Sequence, residues 1–184
     1  MNLHDDPEAF TEFSQATAEA FGLPEVYVEK DYWVTYALQN LAESGLVDQV
    51  VFKGGTSLSK AFRLIDRFSE DIDLAVLKAP VSDAACKALL KKVEAQVSRG
   101  FIPLKNDIRI SKGSKFRKTV YQYPRQISDQ EFGQASPELL IEVNAFTHPE
   151  PFERKTIRSF IAETLIENRS CGSGYPLRIG GIFR

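Results

Sequence analysis

A chain of 184 residues with 43% hydrophobic and 26% charged content can bury one substantial core, and its net charge of -2 excludes a histone-like or polybasic protein. Two cysteines, Cys86 and Cys171, lie far apart and outside any Cys-x-x-Cys motif; with only His4 and His148 beside them, a zinc-type cluster is excluded. No basic leader followed by an apolar run is present, nor any apolar stretch of membrane-spanning length, so the expectation is a cytoplasmic protein without a membrane partner.

Asp6-Pro7-Glu8 reads as a helix start, a capping carboxylate followed by proline in the first turn. Phe10, Phe13, Thr17, Ala20 and Phe21 recur at helical spacing until Gly22. Pro24-Glu25 opens a second helix with Val26, Trp33, Ala37, Leu38 and Leu41 as its apolar stripe, ending before Gly45. This pair reads as a cover beside the main sheet. Gln49 to Phe52 is an expected buried strand, and Ser57 to Ile65 a short helix with Leu58, Ala61, Phe62 and Ile65 inward. Ile72 to Leu77 is a strand ended by Pro80, and Ser82-Asp83 caps a long helix that Gly100 closes. Ile108–Ser111 and Phe116–Tyr123 are strands around a Lys112-Gly113-Ser114 turn. Leu139 to Phe146 is a late strand, and Lys155 to Asn168 a late helix.

Strands interleaved with helices, followed by a more antiparallel half, predict an α+β (mixed α/β) class: a mixed sheet flanked by helices, with an N-terminal helical pair. The expected organisation is a helical segment over residues 1–46, a core over 47–169, and a loop-like tail over 170–184. That tail, ending Gly180-Gly181-Ile182-Phe183-Arg184, supplies no closing element and reads as a chain that stops before its domain does.

The chemistry concentrates in Val51-Phe52-Lys53-Gly54-Gly55-Thr56-Ser57-Leu58-Ser59-Lys60 and Arg67-Phe68-Ser69-Glu70-Asp71-Ile72-Asp73-Leu74. Residues i and i+2 of a strand share a face about 6.5 Å apart, so Asp71 and Asp73 can reach one or two divalent cations. Oxygen-only ligands with substrate phosphates suit magnesium or manganese better than zinc. Gly54 and Gly55 let a triphosphate approach backbone N–H groups; Thr56 and Ser57 add hydroxyls, and Lys53 or Lys60 opposes phosphate charge. Glu142 is the candidate third carboxylate, pointing opposite to Leu139, Ile141, Val143 and Ala145. Each feature also has a plainer reading: a tight turn for the glycines, a solvated strand face for the acids, an exposed helix residue for Lys60. Phosphate and metal features in this order favour nucleotide transfer.

Between Lys105 and Arg125 lie seven basic residues (Lys105, Arg109, Lys112, Lys115, Arg117, Lys118, Arg125) against one acid, Asp107, with Tyr121 and Tyr123 interleaved. A solvated basic hairpin is the commoner explanation; contact with RNA or the triphosphate is the other.

These motifs resemble the nucleotidyltransferase toxins of the AbiEii/AbiGii family, in the DNA polymerase beta-like superfamily. Val28-Glu29-Lys30-Asp31-Tyr32-Trp33-Val34-Thr35 is similar to that family's N-terminal helix, and Pro137-Glu138-Leu139-Leu140-Ile141-Glu142-Val143 to its acidic strand. The resemblance spans roughly residues 25–165. It implies metal-dependent transfer of a nucleoside monophosphate from an NTP, with pyrophosphate leaving, to an RNA (tRNA in some members) or protein acceptor. It also implies a toxin of an abortive-infection or type IV toxin–antitoxin system with a cognate antitoxin. Carried over, Asp71 and Asp73 hold Mg2+ or Mn2+ and Glu142 completes the acidic set. The nucleotide falls to Lys53, Gly54, Gly55, Thr56, Ser57, Lys60 and Ser69. The family's later polar motif is not found after Glu167.

A Walker P-loop fails, because the stretch from Gly55 to Lys60 lacks its second glycine. A phosphatase with an aspartyl nucleophile leaves the glycine–hydroxyl turn unexplained. A nucleotide-binding, catalytically incomplete relative acting through protein partners is the other reading. The NTP, acceptor, antitoxin and oligomeric state are not encoded in any motif.

Overall fold

The structure, a computed structural model, describes residues 2–65, 68–79, 82–127, 132–133, 135–147, 149–169 and 181–183. Cys171, His148, Arg67 and Pro80 lie outside them.

Asp6 caps α1 (Pro7–Phe21) by accepting from the Ala9 N–H, and Gly22 ends it at φ 64, a left-handed conformation that costs glycine little. The second helix, α2 (Glu25–Ala42), is not a cover. Thirteen of its eighteen residues are buried, including Trp33, Leu38 and Leu41, because α1, α4 (Asp83–Val97) and α5 (Phe160–Arg169) all pack on it. Ser82 caps α4 through the Ala85 N–H, and Cys86 is buried in its apolar face.

A six-stranded mixed sheet runs in the order β1 (Val50–Lys53), β2 (Ile72–Val76), β6 (Leu139–Asn144), β5 (Phe116–Gln122), β3 (Ile102–Pro103), with β4 (Ser111–Lys112) also pairing with β5. β2 and β6 are parallel, and the other pairings are antiparallel. The expected α+β class with a mixed sheet and flanking helices is what forms. One sheet face carries Phe52, Ile72, Leu74, Leu139, Ile141 and Val143 into the core with α2 and α4. Burying six such side chains is worth on the order of 10 kcal/mol before chain entropy is subtracted.

Several elements differ from expectation. The short helix α3 spans Gly54–Lys60, so both glycines lie inside it. Its buried residues are Thr56 and Ser57, whereas Leu58 is 41% exposed, because Leu58, Ala61 and Phe62 line an open cavity instead of the closed core. Ile108 lies outside any strand and is fully exposed, and β4 begins only at Ser111. Lys155–Ile157 form strand β7, not helix, since they pair antiparallel with β8 (Gly181–Phe183). The helix starts afterwards, where the Ser159 hydroxyl accepts from the Ala162 N–H at 3.2 Å. The tail therefore does contribute an element at 181–183. Among the described residues no helix is long and apolar enough to cross a membrane.

Candidate active site

The sheet face opposite the core presents a single row of charges. Register places Lys53 of β1 beside Asp73 of β2, Asp73 beside Glu142 of β6, and Glu142 beside Lys118 of β5. Four strands thus set plus, minus, minus, plus across about 14 Å. Alternation explains the acidic pair: Asp73 and Glu142 each sit between positions that face the core, as the burial of Ile72, Leu74, Ile141 and Val143 shows. Asp71, just before β2, is exposed and joins the acidic pair electrostatically.

Burial pushes the Asp73 carboxyl above its ordinary range; Lys53 and Lys118 oppose this, while Glu142 and Asp71 add to it. Glu142 leans toward Lys53, whose Nζ lies 4.0 Å from its Oε1, and the Asn144 amide donates to the same oxygen at 3.4 Å. Asp73 therefore carries a carboxylate in an environment that favours a neighbouring cation.

The glycine turn is built against this carboxylate. Gly54 has φ 77, and a Cβ placed on it would lie 2.2 Å from Asp73 Oδ2. Only glycine fits both demands, so backbone and carboxylate meet without a side chain between them. Gly55 follows in the first turn of α3. With seven residues, α3 carries little macrodipole.

The other sequence-selected residues separate around α3. Ser57 lines a cavity of about 350 Å3 together with Lys53 and Gly54. Thr56 is fully buried, and its hydroxyl shares a 2.9 Å hydrogen bond with Ser69, tying the loop before Asp71 to the helix. Lys60 points to the opposite flank, where it donates to Asp31 in a buried ion pair. There it borders a second cavity of about 470 Å3, which Ser69 also lines. Lys53, Gly54, Asp71, Asp73 and Glu142 are thus brought together, whereas Thr56, Ser69 and Lys60 hold the surrounding frame.

Of the basic stretch, Arg117 is buried and donates to Glu94, and Arg109 is engaged by Asp107 and Glu138 at 2.6 and 3.1 Å. Lys118 reaches the charged row by register. Among the described residues no group of three or more His, Cys, Asp or Glu side chains is spaced to cage a metal ion.

Sequence reasoning assigned no task to Glu29, Lys30, Asp31 or Glu70, although these fix the site's frame. Consecutive residues point about 100° apart on a helix, so Glu29, Lys30 and Asp31 reach three segments. Glu29 accepts from the N–H groups of Gln126 and Ile127 at 2.6 and 3.3 Å. Lys30 donates to the Ser136 carbonyl at 2.7 Å and to that of Glu138, and pairs with Glu70 at 3.3 Å. Glu70 in turn accepts from the Ser136 N–H at 2.8 Å. Lys30 thereby joins the residue before Asp71 to the lead-in of the strand bearing Glu142. Asp31 holds Lys60 and accepts from the Phe160 N–H at 2.8 Å. Burial lowers the Lys30 pKa, opposed chiefly by Glu70, and raises those of Glu29 and Asp31. Three adjacent charged residues in one helix were the available signal, but they look like a solvated face until the surrounding helices are in place.

Comparison with known proteins bears on this arrangement. The family described as nucleotidyl transferase AbiEii toxin, type IV TA system, matches residues 36–176. No curated protein matches the chain. Among solved structures, it is similar to the crystal structure of JHP933 from Helicobacter pylori, at 24% identity and a TM-score of 0.44, covering 82% of this chain. The chain spans 59% of the length of that protein. The family match takes in well over half of the 184 residues, and the chain belongs to the AbiEii nucleotidyl transferase toxin family of type IV toxin–antitoxin systems.

Proposed function

We propose that this protein transfers a nucleoside monophosphate from an NTP to an acceptor hydroxyl, with RNA, tRNA included, as the first acceptor to test. The observation that carries this reading is the meeting of Gly54 with Asp73, which sets the start of α3 directly against a carboxylate row.

The residues present fit a divalent cation. Asp71 and Asp73 offer oxygen donors alone, the set that hard ions such as Mg2+ or Mn2+ take, and Lys53, Gly54 and Ser57 line a cavity that adjoins them. A bound ion of this kind neutralises phosphate charge and polarises the phosphorus–oxygen bond. The chain's own groups do the rest. Lys53 and the Gly54–Ser57 backbone hold the triphosphate. The acceptor oxygen forms a bond to the α-phosphorus, the α–β bridging bond breaks, and pyrophosphate leaves with the bridging oxygen. Glu142, across from Asp73, takes the acceptor's proton. Lys118 stands beside Glu142 at the far end of the row. A cognate antitoxin is the expected protein partner and the cytoplasm the expected compartment.

The test is incubation with each labelled NTP, magnesium and total RNA, comparing wild type with Asp71→Ala and Asp73→Ala. Label transfer by wild type and its loss in both variants supports the proposal. Equal transfer by the variants would sink it, and tight NTP binding by wild type without any transfer would replace it with a nucleotide-binding role exercised through partners.

A further inference from the structure

The cavity beside Gly54 continues the charged row into an apolar slot. Lys53 and Gly54 belong to both, and Gly54 itself abuts Asp73. From there Leu58 of α3 and, just past its end, Ala61 and Phe62 line the slot. Pro149, Pro151 and Phe152 form the opposite wall. Along α3, from Gly54 to Lys60, the rise is about 9 Å at helical pitch, and Ala61 and Phe62 extend the wall past its end. Partly exposed Leu58 leaves apolar surface open to this space. The rim is polar: Lys155 pairs with Glu153 at 3.1 Å while lying 5.1 Å over the Phe62 ring.

We propose that this slot is the nucleobase subsite of the NTP whose triphosphate lies at the glycine turn. The proposal rests on the nucleotidyl-transfer reading above and adds which residues hold the base. A volume of about 350 Å3 falls at the small end of ligand pockets. That suits a base and ribose, with the triphosphate outside at Gly54. Aromatic and proline walls offer flat faces for stacking, which tolerates any base, whereas the Glu153–Lys155 pair supplies an acceptor and a donor to a base edge and so sets preference. The larger cavity on the other flank of α3 does not compete. No residue of the glycine turn or the carboxylate row lines it, and four of its five charged residues pair with one another, Lys60 with Asp31 and Arg63 with Glu163 at 2.8 Å.

Trp33 is the sole native tryptophan and is buried elsewhere, so Phe152→Trp installs a reporter in the slot. With magnesium present, NTP is expected to quench this signal beyond any change in wild type. Inorganic tripolyphosphate should leave it unchanged while still displacing NTP. Ala61→Trp, which fills the slot, and Phe152→Ala, which removes one wall without adding bulk, should each weaken NTP binding about tenfold or more and leave tripolyphosphate binding intact. NTP binding at wild-type strength by the folded variants overturns the base subsite alone. Failure of wild type to bind either NTP or tripolyphosphate overturns the nucleotidyl-transfer reading, and the subsite with it.

Discussion

Asp31 and Asp73 are both carboxylates whose pKa is raised first of all by burial, yet their surroundings are opposite. Asp31 has a lysine against one oxygen and a backbone N–H against the other, so its charge is answered within the fold. Asp73 has Glu142 and Asp71 for neighbours, its lysines stand at the next strand or farther, and the glycine turn crowds one oxygen. A paired buried charge specifies structure. A carboxylate pressed against others is stabilised only in part by the fold, and a bound cation would relieve the repulsion. The difference separates the frame of this protein from its site.

The strongest way to break the comparison is to remove one member of the frame. Asp31→Ala leaves Lys60 buried without its partner and should cost about 3–5 kcal/mol of stability, read by denaturant unfolding. The double variant Asp31→Leu/Lys60→Met should recover much of that loss, because no charge then remains to be desolvated. On the site side, Asp73→Ala or Asp71→Ala should lower transfer by about a hundredfold or more with little loss of fold, measured by label transfer alongside melting curves.

Gly54→Ala tests the junction of the two. Its methyl group would meet Asp73 Oδ2 in a left-handed backbone, so a stability loss of about 1–2 kcal/mol should accompany loss of transfer as the carboxylate is displaced. Lys30→Met sharpens the frame further: it should destabilise the fold and loosen the Glu70–Asp71 loop, whereas Lys30→Arg retains the charge and part of the effect.

The smallest effect is a pH dependence. The folded pKa of Asp73 lies above its ordinary 3.8, so the stability this group contributes is fully present below 3.8 and lost as pH rises through the raised value. Asp73→Asn removes that titration. Without metal, its melting temperature should exceed that of wild type at neutral pH, and the gap should close on acidification toward 3.8. Metal affinity of wild type should run the other way, falling as Asp73 protonates.

How much of this was legible in the sequence follows from the range of the interactions involved. Local signals placed α1, α4, β1, β2 and β6 well: Asp6 and Ser82 as caps, Gly22 as a stop, and the alternation that sets Glu142 opposite Ile141 and Val143. Asp73 could be set opposite Ile72 and Leu74 for the same reason, whereas Asp71, expected beside it in the strand, lies just before β2. The plus, minus, minus, plus row could not be read, because it depends on which strands pair and in what register. Lys118 had no signal linking it to Glu142. β7 was hidden because its partner lies at 181–183 and its own three residues continue smoothly into a helical pattern. Lys60 looked like a phosphate ligand because a lysine six residues after the first glycine is close in sequence. The helix turns it to the far flank, onto Asp31.

The central claim is that Asp73 serves chemistry at the expense of the fold, unlike Asp31. Asp73→Asn at pH 7, assayed for transfer of labelled nucleotide and for melting without metal, tests it directly. The expected variant melts above wild type and transfers no label. Transfer at the wild-type rate, or a melting point lowered as by a broken ion pair, would contradict it.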